Sequence, residues 1–116
     1  MFISHRNKIE KIKQESPALK NVDKQVLIGP KEGWADYVMR LFTLGGDGYT
    51  PKHQHPWPHI IYIVQGEGIL FTEETENKVT GGSVAFVDQD KSHQVRNTSS
   101  DKELIFICIV PKEGDV

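Results

Sequence analysis

A chain of 116 residues with 37% hydrophobic and 26% charged residues has the size and make-up of one globular domain rather than a disordered or fibrous chain. Its formal net charge of −2 and pI near 6.2 give no general attraction to nucleic-acid backbones. The single cysteine, Cys108, excludes an internal disulfide, cysteine-based zinc fingers and iron–sulfur clusters.

Residues 1–23 read as a polar N-terminal arm. Met1-Phe2-Ile3 turns charged at once and so lacks the apolar region of a secretory leader. No run reaches the length of a membrane span, and cytoplasmic residence is the expectation. Arg6, Lys8, Lys11 and Lys13 alternate with Glu10 and Glu15, which describes a solvated stretch, not a basic patch, and His5 belongs to that surface. Pro17 and Asn21 argue against a long helix. From Lys24 onward a single barrel domain, 24–116, is expected. Its short β-branched and aromatic runs are Val26 to Ile28, Tyr37 to Leu44, Ile60 to Val64, Ile69 to Thr72, Lys78 to Thr80, Ser83 to Val87, His93 to Arg96 and Leu104 to Val110. Turn clusters such as Gly29-Pro30, Gly45-Gly46-Asp47-Gly48, Gly66-Glu67-Gly68 and Gly81-Gly82 separate them, and Pro111 stops the last. Eight or nine short strands at this spacing, without helical periodicity, predict an all-β sandwich or barrel.

Ile60 to Val64 and Leu104 to Val110 are apolar at nearly every position, where a strand on the skin of a small barrel would show one polar face. A second copy of the chain, forming a homodimer, is the expected cover; the N-terminal arm folding back is the alternative.

Three of the five histidines fall within seven residues, His53-Gln54-His55-Pro56-Trp57-Pro58-His59. On a strand, His53 and His55 point to one face. Pro56 and Pro58 cannot sit in a central ladder, so the chain bends there and lets His59 re-enter at the next strand. Neutral imidazole is the commonest protein ligand for transition metals, and clustered imidazoles without an ion would each need other partners. A polar loop with accidental histidines is the competing account.

Gly48-(x4)-His53-x-His55-(x3)-His59-(x6)-Gly66 resembles the first motif of the cupins, Gly-(x5)-His-x-His-(x3–4)-Glu-(x6)-Gly. Gly82-(x5)-Asp88-x-Asp90-(x2)-His93-(x3)-Asn97 resembles the second, Gly-(x5)-Pro-x-Gly-(x2)-His-(x3)-Asn. The usual glutamate ligand falls on His59, the first glycine is one residue off, and Asp88 and Asp90 stand where the second motif has proline and glycine. His-Pro-Trp between ligands and the ending Cys108-(x2)-Pro111-Lys112-Glu113-Gly114 are similar to a subgroup of stand-alone, manganese-binding cupins. Some of these are associated with dioxygen-dependent cleavage of carbon–carbon double bonds.

The resemblance implies a jelly-roll β-barrel, the cupin double-stranded β-helix, with one metal ion held by His53, His55, His59 and His93. Four imidazoles on a six-coordinate ion leave two positions open, as catalysis requires. With no carboxylate ligand the ion keeps its full charge and attracts anionic or enolate-like molecules. Ligand type allows zinc, copper, iron or nickel; the resemblance favours manganese or iron. Imidazoles with the ordinary pKa of about 6.5 would release the metal below roughly that pH. Arg40, Trp57, Phe106 and Cys108 are the pocket candidates. Phe106 and Cys108 share one parity of the last strand and are placed inward, with Ile105, Ile107 and Ile109 on the other face. Arg40 reads as an outward ion pair, with an anion contact as the alternative. Trp57 shapes the entrance or caps the core, Cys108 lies near the metal or is an inert buried thiol, and Asn97 fixes a turn. A dioxygenase-type reaction on a small organic molecule is the leading expectation. A redox-neutral isomerase or lyase would need a base such as Tyr49, Tyr62 or Glu67. A non-catalytic binding module completes the set, because a fold alone decides nothing.

Overall fold

Residues 1–115 are described by a computed structural model. Nine strands run through them: β1 (Ile12–Gln14), β2 (Lys20–Ile28), β3 (Tyr37–Tyr49), β4 (His59–Gln65), β5 (Glu67–Thr72), β6 (Thr75–Thr80), β7 (Val84–Val87), β8 (His93–Asn97) and β9 (Leu104–Pro111). Single 3-10 turns at Arg6–Lys8, Pro30–Glu32 and Lys112–Gly114 are the helical content among the described residues. The strands form one curled antiparallel sheet in the order β6-β5-β8-β3-β9-β4-β7, with β2 laid along β3 and β1 along β2. This is the all-β barrel that the alternating runs predict, in the jelly-roll form that the resemblance implies.

Register decides what faces inward, because directly opposed residues share a face. Arg40 opposes Cys108, Cys108 opposes Ile61 and Ile61 opposes Ala85, so one inward row crosses β3, β9, β4 and β7. The next row is Phe42, Phe106 and Ile63. Val22, Leu44, Ile63, Leu104 and Val110 are the largest fully buried side chains of the core.

The structure departs from the sequence reading at the glycine cluster after Leu44. The strand does not end there; β3 runs on to Tyr49 and bulges, so that two steps of β2 (Lys20 to Val22) oppose five of β3 (Leu44 to Tyr49). Asp47 takes a left-handed φ of 57° in the bulge, and at Gly46 a Cβ would lie 2.0 Å from the carbonyl oxygen of Ser100. The bulge turns the end of β3 toward β8, where Tyr49 pairs with Arg96. Asn97 pins the corner. Its buried amide shares its two protons among the carbonyls of Leu44, Gly45 and Lys102, at 3.1, 3.0 and 2.7 Å, and its Oδ1 accepts from the Ser99 N–H. Asn97 therefore fixes a turn, as expected.

The N-terminal arm covers part of the outer face of the apolar strands. The arm is tied down by Gln25, whose amide donates to the carbonyls of Arg6 and Ile9, and Ile105 lines a crevice with Arg6, Asn7 and Ile9. Beyond the arm's reach Ile60, Tyr62 and Val64 on β4 and Val84 and Phe86 on the edge strand β7 stay exposed, as one connected apolar face.

Candidate metal centre

The segment between β3 and β4 does not loop freely across the barrel mouth. Thr50 N–H donates to the Val95 carbonyl, Val95 N–H donates to Thr50 Oγ1, and the Gln94 amide donates to the Thr50 carbonyl, each at 2.9 Å. Three residues on, His53 and His93 exchange both backbone hydrogen bonds, at 3.2 and 2.9 Å. A hydrogen-bonded antiparallel pair carries its side chains on one face, so this bridge brings the two imidazoles together from residues far apart in sequence. His55 follows on the same face, and its carbonyl accepts from the Asp90 N–H at 2.6 Å. Asp90 has φ of 63°, the conformation glycine would take without cost at that place in the motif. The bend at Pro56 and Pro58 then delivers His59 to the first position of β4, paired with Val87.

The rings converge. Centroid separations are 4.1 Å for His53–His55, 4.3 Å for His59–His93, 5.3 Å for His55–His59 and 5.4 Å for His53–His93. His53, His55 and His93 present ligand nitrogens within 4.8 Å of one another, a triad able to hold a metal ion. His59 stands beside it, buried, with an Nδ1 that has no hydrogen-bond partner. The Nδ1 of His93 lies 3.1 Å from the Lys91 carbonyl; an N–H donated there leaves its Nε2 lone pair free.

All four imidazoles are neutral at ordinary pH. Burial pushes His59 down to about 3, helped by the charges of His93, His55, Arg40 and His53. Partial burial, then His55, His93 and Arg40, takes His53 down to about 4. His55 is lowered by burial, His93 and Arg40. His93 is lowered by burial and Arg40 against the opposing Lys91 carbonyl. At His53 and His59 a proton therefore competes for the ring nitrogen only well below the ordinary imidazole range.

The histidines open onto a cavity of about 170 Å³. Phe106 and Cys108 line it, on the inward face as expected; burial raises the Cys108 thiol, partly offset by Arg40, and makes it a poor nucleophile. Arg40 corrects the outward placement. It is buried, lines the cavity, donates from Nη2 to Cys108 Sγ at 3.2 Å and lies over the Phe42 ring at 5.0 Å. Trp57 stacks on His55, 4.7 Å between centroids and 8° between planes. On the other side it meets Gly114, where a Cβ would come 2.6 Å from Nε1, so Trp57 braces a histidine against the C-terminal turn. Tyr62 and Glu67 are exposed and Tyr49 lies outside the lining, so none of the three proposed bases reaches the cavity. Lys24, Phe42 and Thr50 also line it and were not singled out from the sequence.

The family model of the cupin domain matches residues 40–110, more than half of the chain. This chain belongs to the cupin family. No curated protein matches it by sequence. Among solved structures, the polyketide cyclase RemF from Streptomyces resistomycificus is 24% identical, with a TM-score of 0.88 over 96% of this cupin and 79% of the cyclase. A cupin-2 domain from Rhodospirillum rubrum is 23% identical, with a TM-score of 0.82 over 100% of this cupin and 77% of that chain. A predicted oxalate decarboxylase from Thermotoga maritima is 22% identical, with a TM-score of 0.82 over 95% and 98%. At these identities the likeness is one of fold, and the site must speak for the chemistry. Among the described residues no helix is long and apolar enough to cross a membrane.

Proposed function

We propose that His53, His55, His59 and His93 together hold one divalent transition-metal ion, manganese or iron, and that the chain is a metal-dependent oxygenase acting on a small organic molecule. The orphaned Nδ1 of His59, buried beside the triad, supports the fourth ligand, because a buried ring nitrogen without a partner is costly. The observation that carries the reaction class is the cavity lining: four neutral imidazoles meet walls of Phe42, Ile61, Val95 and Phe106, and among the described residues no carboxylate or tyrosine lines it as a general base. The ion, when bound, supplies redox chemistry toward dioxygen. The protein's own part is to hold the four nitrogens, exclude water with the aromatic walls and fix the substrate beside them.

A redox-neutral reaction is the second reading. It draws on Lys24 in the lining, paired with Asp115, and on the likeness to a polyketide cyclase. The apolar face of Ile60, Tyr62, Val64, Val84 and Phe86 supports a homodimer built on the outside of β4 and β7, away from the cavity mouth.

The test is metal content by mass spectrometry on protein never exposed to chelator, followed by oxygen uptake with unsaturated and keto-acid substrates. His59→Ala should lower the metal content while His5→Ala leaves it unchanged. Equal effects would remove the four-histidine assignment, and zinc as the resident metal without oxygen uptake would favour the redox-neutral reading.

A further inference from the structure

The guanidinium of Arg40 is poorly matched to its surroundings. Its side chain is only 8% exposed, yet Nε is buried with no hydrogen-bond partner and Nη2 is spent on a thiol, a weak acceptor. The nearest carboxylate oxygen, Oδ1 of Asp115, stands 3.9 Å from Nη1, beyond hydrogen-bond range. That same oxygen lies 2.5 Å from Nζ of Lys24. Two cations in one cavity wall thus share a single carboxylate oxygen, which is itself buried without a hydrogen-bond partner.

Buried guanidinium groups are retained at sites that bind planar anions in bidentate fashion, and here the matching partner is missing from the protein. No Asp or Glu among the described residues lines the cavity itself, and Asp115 reaches the guanidinium only at 3.9 Å, too far for a bidentate pair. Beneath the guanidinium, Phe42 and Phe106 stack 5.3 Å apart and 22° from parallel, both in the lining. They offer a flat apolar bed next to the positive charge. The volume of about 170 Å³ is ring-sized, since an apolar cavity of about 150 Å³ holds benzene.

We infer that Arg40 and Lys24 form a carboxylate-binding subsite, that the substrate is a small carboxylate with a flat unsaturated or aromatic body, and that Asp115 occupies the subsite as an internal stand-in which the substrate displaces. Asp115 is placed for this. It follows the single turn Lys112–Gly114, its N–H returns to the Lys112 carbonyl at 3.2 Å and the turn packs on Trp57, so displacing the carboxylate requires its side chain to swing off Lys24 while the turn stays seated. The inference rests on the reading of this cavity as the substrate site, and it is independent of which metal the histidines hold.

Benzoate and its uncharged isostere benzamide separate the subsite from simple apolar binding. Both are titrated into metal-free protein at neutral pH, with binding followed by amide chemical shifts and folding checked by circular dichroism. Benzoate should bind and benzamide should bind far more weakly. Arg40→Met should weaken benzoate about tenfold or more through loss of the bidentate partner. Asp115→Asn should tighten it about fivefold by removing the competitor, a gain that a misfolded variant cannot mimic. Equal binding of benzoate and benzamide would overturn the subsite, as would benzoate affinity unchanged in Arg40→Met. Unchanged or weaker binding in Asp115→Asn would overturn the displacement. Because the titration is done without metal, its failure in a protein that still loads metal through the four histidines sinks this inference alone. Failure of metal loading with benzoate binding intact sinks the metal reading alone.

Discussion

Metal affinity should hold to far lower pH than an all-histidine site ordinarily allows. Each ligand must shed its proton to bind, so each costs affinity only once the pH falls below its own pKa. Two imidazoles at the ordinary value of about 6.5 would together weaken binding about a thousandfold at pH 5. With His53 at about 4 and His59 at about 3, both are already bare at pH 5 and contribute almost nothing to that loss. The sign for stability is the same: the unfolded chain takes up these protons below about 6.5 and the folded chain does not. Metal-free protein should therefore lose stability from near pH 6.5 downward, levelling off below the folded values of about 4 and 3. The assay is competition with a chelator of known proton affinities at pH 7, 6, 5 and 4, using manganese as the probe. A drop of more than about a thousandfold between pH 7 and 5, beyond what His55 and His93 could cause even at the ordinary value, would refute the claim that burial has stripped His53 and His59 of their protons beforehand.

Three further outcomes follow from geometry. Asn97→Ala leaves three strand and turn carbonyls without their donor at a buried corner and should cost about 2–3 kcal/mol in chemical denaturation; a change within error would mean the amide is not a fastener. Gly114→Ala forces a methyl against the Trp57 indole, so melting temperature and metal affinity should both fall, by the equivalent of about 1–3 kcal/mol in stability; a neutral result would show that Trp57 does not brace His55. A charge at the centre of the outer apolar face, Ile60→Asp, should convert dimer to monomer in analytical ultracentrifugation without changing metal content, and a wild type that sediments as a monomer at all concentrations would remove the dimer.

The fold was legible because glycine and proline punctuate it and the runs between them have strand length. The triad was legible because period two puts His53 and His55 on one side and the second motif supplies His93. Arg40 was not. It shares parity with Phe42 and Leu44, but a charged residue among apolar ones is ordinarily turned to solvent, and the opposition to Cys108 that places it inside depends on the β3–β9 register. Lys24 and Asp115 were hidden for a related reason, since their pairing spans nearly the whole domain. At Gly45 to Gly48 a bulge and a hairpin have the same composition, and only the continued pairing of Tyr49 with Lys20 and Arg96 separates them.

The two-way backbone bridge between His53 and His93 sets the order of events when an ion arrives. The chain entropy lost in gathering distant ligands is already lost on folding, since peptide groups rather than metal bonds hold the segments together. Chelation should then strip the ion and leave the barrel standing, unlike a zinc finger, whose chain unravels without its metal. Such a centre can be emptied, refilled and compared ion by ion in one unchanging scaffold, so differences among manganese, iron and zinc would report the metal's chemistry rather than the protein's refolding.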